Sequence, residues 1–172
     1  MVLTYKKIKE GSYMRWIDPK FKAHRLNYLA QSLMAILVVF VMSLFMDMFA
    51  HTTVIASLGA TVFIVFTMPH KEVSRSRYLY GGYTIGLIAG ECSTLLMVSD
   101  VVYMRSLVMA LAVGLAIFLM VVTNTEHPPA AALALGVTVD GANLTSVIVI
   151  YSCLTIVLLG KWLMRRWLID LM

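Results

Sequence analysis

The sequence predicts an all-α fold, a polytopic transmembrane helical bundle. Three observations lead there. Hydrophobic residues make up 60% of the 172-residue chain and charged residues only 13%, against about 45–50% and about 25% in soluble domains. Apolar runs of bilayer length alternate with short polar loops. The positive charge behind the net +5 gathers at the two ends and in one internal loop. A chain this small cannot bury so much apolar surface in water, because small domains keep much of their surface exposed. The charge pattern reads as membrane topology and not as a nucleic-acid footprint. The expected partner is the lipid bilayer, with no nucleic acid.

Residues 1–25 form a basic interfacial segment in which Lys6, Lys7, Lys9, Arg15, Lys20, Lys22 and Arg25 outweigh Glu10 and Asp18. Tyr13, Trp16 and Phe21 interleave with them, which suits a membrane surface. Asp18-Pro19 opens a short helix or marks a turn. A transmembrane domain over 26–163 follows, and 164–172 is a short basic tail. The first crossing runs from Leu26 to Met46 and Asp47 closes it. The second, Thr52 to Pro69, is short and carries Gly59 and Ala60 at its centre. A loop with Lys71, Arg75 and Arg77 leads to the third, Tyr78 to Val98, and a turn around Asp100 leads to the fourth, about Leu107 to Val122. The last clear run is Leu144 to Leu163, followed by Arg165 and Arg166, with Trp162 and Trp167 at the interface. These are about five clear hydrophobic segments.

The charge bias places the N-terminus, the 70–77 loop and the C-terminus on the cytoplasmic side of an inner (plasma) membrane. Four crossings bring the chain inside at Thr123. The last run then ends inside only if something between Thr123 and Leu144 crosses. That stretch begins NTEHPPAAALALG, and its apolar part of about a dozen residues is too short for an ordinary spanning helix. It is either a short broken helix that crosses or a re-entrant one that would leave the C-terminus outside. Nonhelical backbone at such depth must be sheltered by protein or water, and a homo-oligomer would supply shelter. ATVFIVFTMPHK and AIFLMVVTNTEHPP echo one another. With three crossings per half, that echo suggests an inverted repeat, as transporters often contain.

The groups that carry chemistry surround this stretch. Pro128 and Pro129 suit a first helical turn, where their missing N–H groups have no intrahelical partner. His127 before them is held extended. The amides of Ala130 and Ala131 would then be the first exposed donors, at the positive end of a half-helix that attracts anions. Glu91 lies inside the third run, where an ionisable residue needs a partner or a cavity. It is either proton-coupled or paired with His127 or an arginine, or else a structural acid bonded across helices. Gly82, Gly86 and Gly90 give one smooth face for helix packing, with Gly59 in a similar role, or line a narrow path. Arg77 either draws anions to a cytoplasmic mouth or anchors the topology. His127→Ala is expected to depress uptake and leave folding intact. Cys92 and Cys153 fall in apolar runs and read as free thiols. No catalytic constellation, metal site or cofactor motif is present, so an enzyme is not expected.

TEHPPAAALALG resembles the signature of the HPP family of small integral membrane proteins, with His127, Pro128 and Pro129 as the naming triad. SLGATVFIVFTMP and RYLYGGYTIGLIAG are similar to that family's second and third helices, so the resemblance covers about residues 25–163. Ser76-Arg77-Tyr78 and Gly81-Gly82-Tyr83 keep the family's arginine and glycines but not its neighbouring proline, asparagine and second histidine. The resemblance implies a compact channel or secondary transporter for a small inorganic anion, with nitrite the leading substrate. A scaffold without transport of its own, or a transporter of another small solute, is the alternative.

Overall fold

The computed structural model describes residues 19–46, 52–97 and 101–172. The basic stretch before Pro19, with its tyrosine and tryptophan, lies outside them, as do Asp47 and Asp100. The described residues form α1 (Pro19–Ala23), α2 (Arg25–Met46), α3 (Thr52–Thr67), a 3-10 turn at Glu72–Ser74, α4 (Ser76–Thr94), α5 (Val102–Val122), α6 (Pro128–Asp140) and α7 (Leu144–Met164). No strand occurs among them.

The helices are all-α and bundled as expected, but fewer qualify as independent spans. Among the described residues, three helices are long and apolar enough to cross a membrane: Arg25–Leu44, Val102–Val122 and Leu144–Met164. The five expected hydrophobic segments are all helices, α2, α3, α4, α5 and α7, and two of them fall short of a span for two reasons. At 16 residues α3 is short, about 24 Å at 1.5 Å per residue. And α4 carries Arg77, Thr84, Glu91, Ser93 and three tyrosines in its 19 residues. The sequence of α4 is polar because much of it faces protein: Leu79, Gly82, Tyr83, Gly86, Ala89 and Gly90 are all buried.

Long-range bonds fix the relative direction of the helices. Gln31 near the start of α2 donates to the carbonyls of Phe66 (2.6 Å) and Ile169 (3.0 Å). Lys161 near the end of α7 donates to the Ser74 carbonyl at 2.7 Å, and Arg77 at the start of α4 reaches the Thr123 carbonyl after α5 at 3.2 Å. The start of α2, the 68–76 loop, the α5–α6 link and the C-terminus therefore share one end of the bundle. The C-terminal residues dock there. Leu168 and Leu171 are buried, and the Leu171 amide donates to the Thr67 carbonyl at 2.9 Å.

Helix α6 crosses the bundle and does not re-enter. It runs parallel to α4: Gly82 faces His127, Gly86 faces Ala130, and Gly90 faces Ala134 and Val137. Beyond its end the Ala142 amide meets Glu91. Its 13 residues rise only about 20 Å, and the extended link before Pro128 supplies the remaining depth.

The six long helices pair as an inverted repeat pairs. Exchanging α2 with α5, α3 with α6 and α4 with α7 maps the substantial contacts onto one another. α4–α6 corresponds to α3–α7, α4–α5 to α2–α7, and α5–α6 to α2–α3, while α3–α6 and α4–α7 map onto themselves. The string echo in the sequence is not the register of this arrangement. It matches the end of α3 with the end of α5, whereas the packing exchanges α3 with α6.

Glycine sets the closest contact. A Cβ at Gly82 would stand 2.7 Å from the His127 Cβ, one at Gly90 2.6 Å from the Val137 Cβ, and one at Gly86 against the Ala130 carbonyl oxygen. Gly82, Gly86 and Gly90 are packing residues. Gly59 is not, because a Cβ there meets nothing within 4 Å. It opens onto a surface groove beside Ala35, Val39 and Phe63. Gly86→Ala is therefore expected to lower the melting temperature in detergent by the equivalent of about 1–3 kcal/mol, the usual overpacking cost. Gly59→Ala should be neutral or stabilising by up to about 1 kcal/mol through helix propensity. Equal melting shifts for the two variants would refute the assignment.

Candidate functional site

The link between α5 and α6 is built by local chemistry. Asn124 adopts φ 52°, the left-handed conformation that commonly ends a helix and that asparagine tolerates. The Thr125 amide reaches back to the Met120 carbonyl at 2.9 Å. Thr125 packs on Gly81, where a Cβ would come within 2.6 Å of its methyl group. His127 is extended (φ −139°, ψ 95°) and both prolines occupy the first helical turn, as the sequence predicts.

The His127 side chain turns inward, away from its helix terminus, and is fully buried. Its Nδ1–H donates to the Val73 carbonyl at 3.0 Å, since a carbonyl only accepts. Its Nε2 meets the Thr61 hydroxyl at 2.9 Å. Thr61 meets the Tyr83 hydroxyl at 2.8 Å, and Tyr83 meets Ser57 at 2.9 Å. The Ser57 hydroxyl donates to the Pro129 carbonyl at 2.6 Å. Ser57, Thr61 and Tyr83 are as buried as His127. This chain of contacts starts and ends on carbonyls. Thr61 also reaches the Ser57 carbonyl at 3.2 Å, so with a neutral imidazole the hydroxyls of Ser57, Thr61 and Tyr83 have fewer hydrogens than contacts.

The residues singled out in the sequence fall into four places. His127 and Pro129 belong to the buried network. Ala130 is buried and its amide already donates to the His127 carbonyl at 2.8 Å, so it is not an exposed donor. The first-turn geometry that suits the prolines also engages this amide, so Ala130 is not a free anion-binding donor at the half-helix terminus. Pro128 and Ala131 instead line a groove of about 250 Å³ with Ile117, Met120, Val121, Glu126 and His127. Arg77 is exposed and holds the α5–α6 link through Thr123, while Tyr78 holds it through Asn124 at 3.2 Å. Glu91 stands near the opposite end of α4. It accepts from the Ala142 amide and caps the α6–α7 turn. Of the alternatives for Glu91, the bond across helices is the one present, and it is made to the Ala142 amide.

Ser57, Thr61, Tyr83 and Val73 are site residues that sequence reasoning missed. A signal existed: Ser57 and Thr61 are spaced i, i+4 inside an apolar run, so they share one helix face. Among the described residues no three His, Cys, Asp or Glu side chains gather to hold a metal ion. Cys92 is exposed, Cys153 is buried, and both are free.

A family model described as HPP, transmembrane region, matches residues 20–167. No curated protein and no solved structure matches the chain. The chain belongs to the HPP family of transmembrane proteins.

The hydrogen count orders the effects of substitution. Thr61→Val strands the buried Nε2 and should cost about 1–3 kcal/mol. Tyr83→Phe removes two of the contacts that compete for these hydrogens and leaves Ser57 its bond to the Pro129 carbonyl and Thr61 its bond to His127. It should cost less than about 1 kcal/mol, within the range of a single net hydrogen bond. Thermal unfolding in detergent checks the order; Tyr83→Phe falling below Thr61→Val would overturn it.

Proposed function

We propose, from the premise of an HPP-family membrane protein, that this chain transports a small inorganic anion, with nitrite as first candidate. The observation that carries the reading is the inverted pairing of two three-helix halves. Their short central helices, α3 and α6, meet at the buried His127 network. Transporter folds built from inverted repeats place interrupted helices at the junction and rock one half against the other. On this reading the basic end of the bundle, with the start of α2 and the C-terminus, faces the cytoplasm, as its Lys and Arg residues favour.

Nitrite comes from the family resemblance and from the exposed positive charge at the basic end of the bundle. Arg77 is the exposed cation at the start of α4, and one of its nitrogens is engaged by Thr123. Its remaining N–H groups are available to a planar oxyanion. His127 serves as a junction between the halves and does not bind the anion directly. The expectation that His127→Ala would spare the fold is accordingly dropped, because it would remove the imidazole donor of the Val73 carbonyl and leave a cavity at a fully buried position. A non-transporting scaffold is the second reading, favoured by the solid packing around His127.

Proteoliposomes loaded with a nitrite probe test both readings. The transport reading expects protein-dependent uptake that Arg77→Gln lowers about tenfold at low salt, the lower end of electrostatic steering. The loss should shrink at high salt, where exposed charges are screened. Folded protein without flux of nitrite or other small anions selects the scaffold.

A further inference from the structure

The α4–α7 seam carries a second polar cluster, separate from the His127 network. Tyr80 and Tyr151 stack with ring centroids 6.0 Å apart and planes 11° from parallel. The Tyr80 hydroxyl meets Thr155 at 2.8 Å, and the Tyr151 hydroxyl meets Thr84 at 2.6 Å. Each helix contributes a tyrosine and a threonine four residues later, and the two pairs interlock reciprocally. This is what an exchange of α4 with α7 requires. Thr84 and Thr155 are exposed and the tyrosines half-buried. Thr155 lies at the middle of α7, so the cluster sits deep in the bundle and opens outward.

The direction of every hydrogen in this cluster can be assigned. The Thr84 hydroxyl donates to the Tyr80 carbonyl at 2.7 Å, and the Thr155 hydroxyl donates to the Tyr151 carbonyl at 2.8 Å. The tyrosines must then be the donors to the threonines. All four hydroxyl hydrogens are engaged, and the oxygens present only lone pairs outward. Lipid tails offer such oxygens nothing, and polar groups at depth are favoured where they face protein or water. A second copy presenting the same seam would set acceptor against acceptor.

We propose that this seam is a wetted site for small hydrogen-bond donors, water and donor cations of the ammonium type, and not a lipid-facing or self-pairing surface. A bare anion finds no donor on it. The site deepens the transport reading by giving the junction of the halves a second ligand class, but wetting of the seam does not depend on nitrite flux.

The test uses the full chain in proteoliposomes, with exposed Cys92 replaced by serine. Thr155→Cys reports the cluster itself. Ser152→Cys, exposed beside it, covers loss of folding at Thr155. Leu111→Cys, exposed on α5, is the lipid-facing control. A charged, water-borne thiol reagent should label the seam positions about tenfold faster than Leu111→Cys, because thiolate forms in water and is suppressed in apolar surroundings. Ammonium chloride should slow labelling of Ser152→Cys relative to an equal concentration of sodium nitrite. Labelling no faster than the control, or no selective slowing by ammonium, overturns the proposal. Labelling as expected in protein without anion flux would retain the wetted seam and remove the anion-transport reading.

Discussion

The structure depends on one close approach, that of α6 to α4. A helix of 13 residues cannot cross a bilayer alone, and the extended link that lengthens it would expose unpaired backbone to hydrocarbon. Both problems are solved if the link and the helix lie against another element at backbone distance. Gly81, Gly82, Gly86 and Gly90 on α4 provide that surface. They bring the Thr125 and Ala130 carbonyls and the His127 Cβ to positions that any side chain on α4 would occupy. The polar character of α4 follows from the same fact. A helix covered by protein along one face does not need the hydropathy of one that faces lipid.

The buried network is a consequence of this approach. With α6 fixed on α4, Tyr83 on the adjoining face of α4 reaches Ser57 and Thr61 of α3. Those two residues in turn meet His127 and the Pro129 carbonyl. The imidazole is thus one buried side chain through which the second half of the chain bonds to the first. The prolines contribute by geometry and by omission: they preset the first turn and carry no N–H that would otherwise need a partner at depth.

Much of this was legible in the sequence. The apolar runs, the shared end of the basic segments, the glycine face of α4 and the proline-led start of α6 follow from length, charge and local backbone preference. These are properties of a few adjacent residues. What was not legible is the pairing between distant segments. Nothing near Glu91 says that it will cap Ala142 fifty-one residues on. Gly59 looks like Gly86 in sequence and differs only in what stands opposite. The repeat was suggested by strings that align the wrong helices, because short apolar strings match easily while the packing pattern is carried by pairings.

Two of the interhelical contacts map onto themselves when the halves are exchanged, α3–α6 and α4–α7. Both are made by hydroxyls, one buried and closed by His127, the other open and ended by two tyrosines. The contacts that exchange with one another are not equivalent in substance. α4 meets α6 through glycines, whereas α7 turns Ile150, Cys153, Leu154 and Val157 inward. Glycine-to-backbone contact leaves no room for sliding, while side-chain contact can shift by rotamer. Under the transport reading, relative movement of the halves therefore falls on the α3–α7 side. The hydroxyl contacts are where it is registered, because hydrogen bonds are directional and weaken steeply when misaligned.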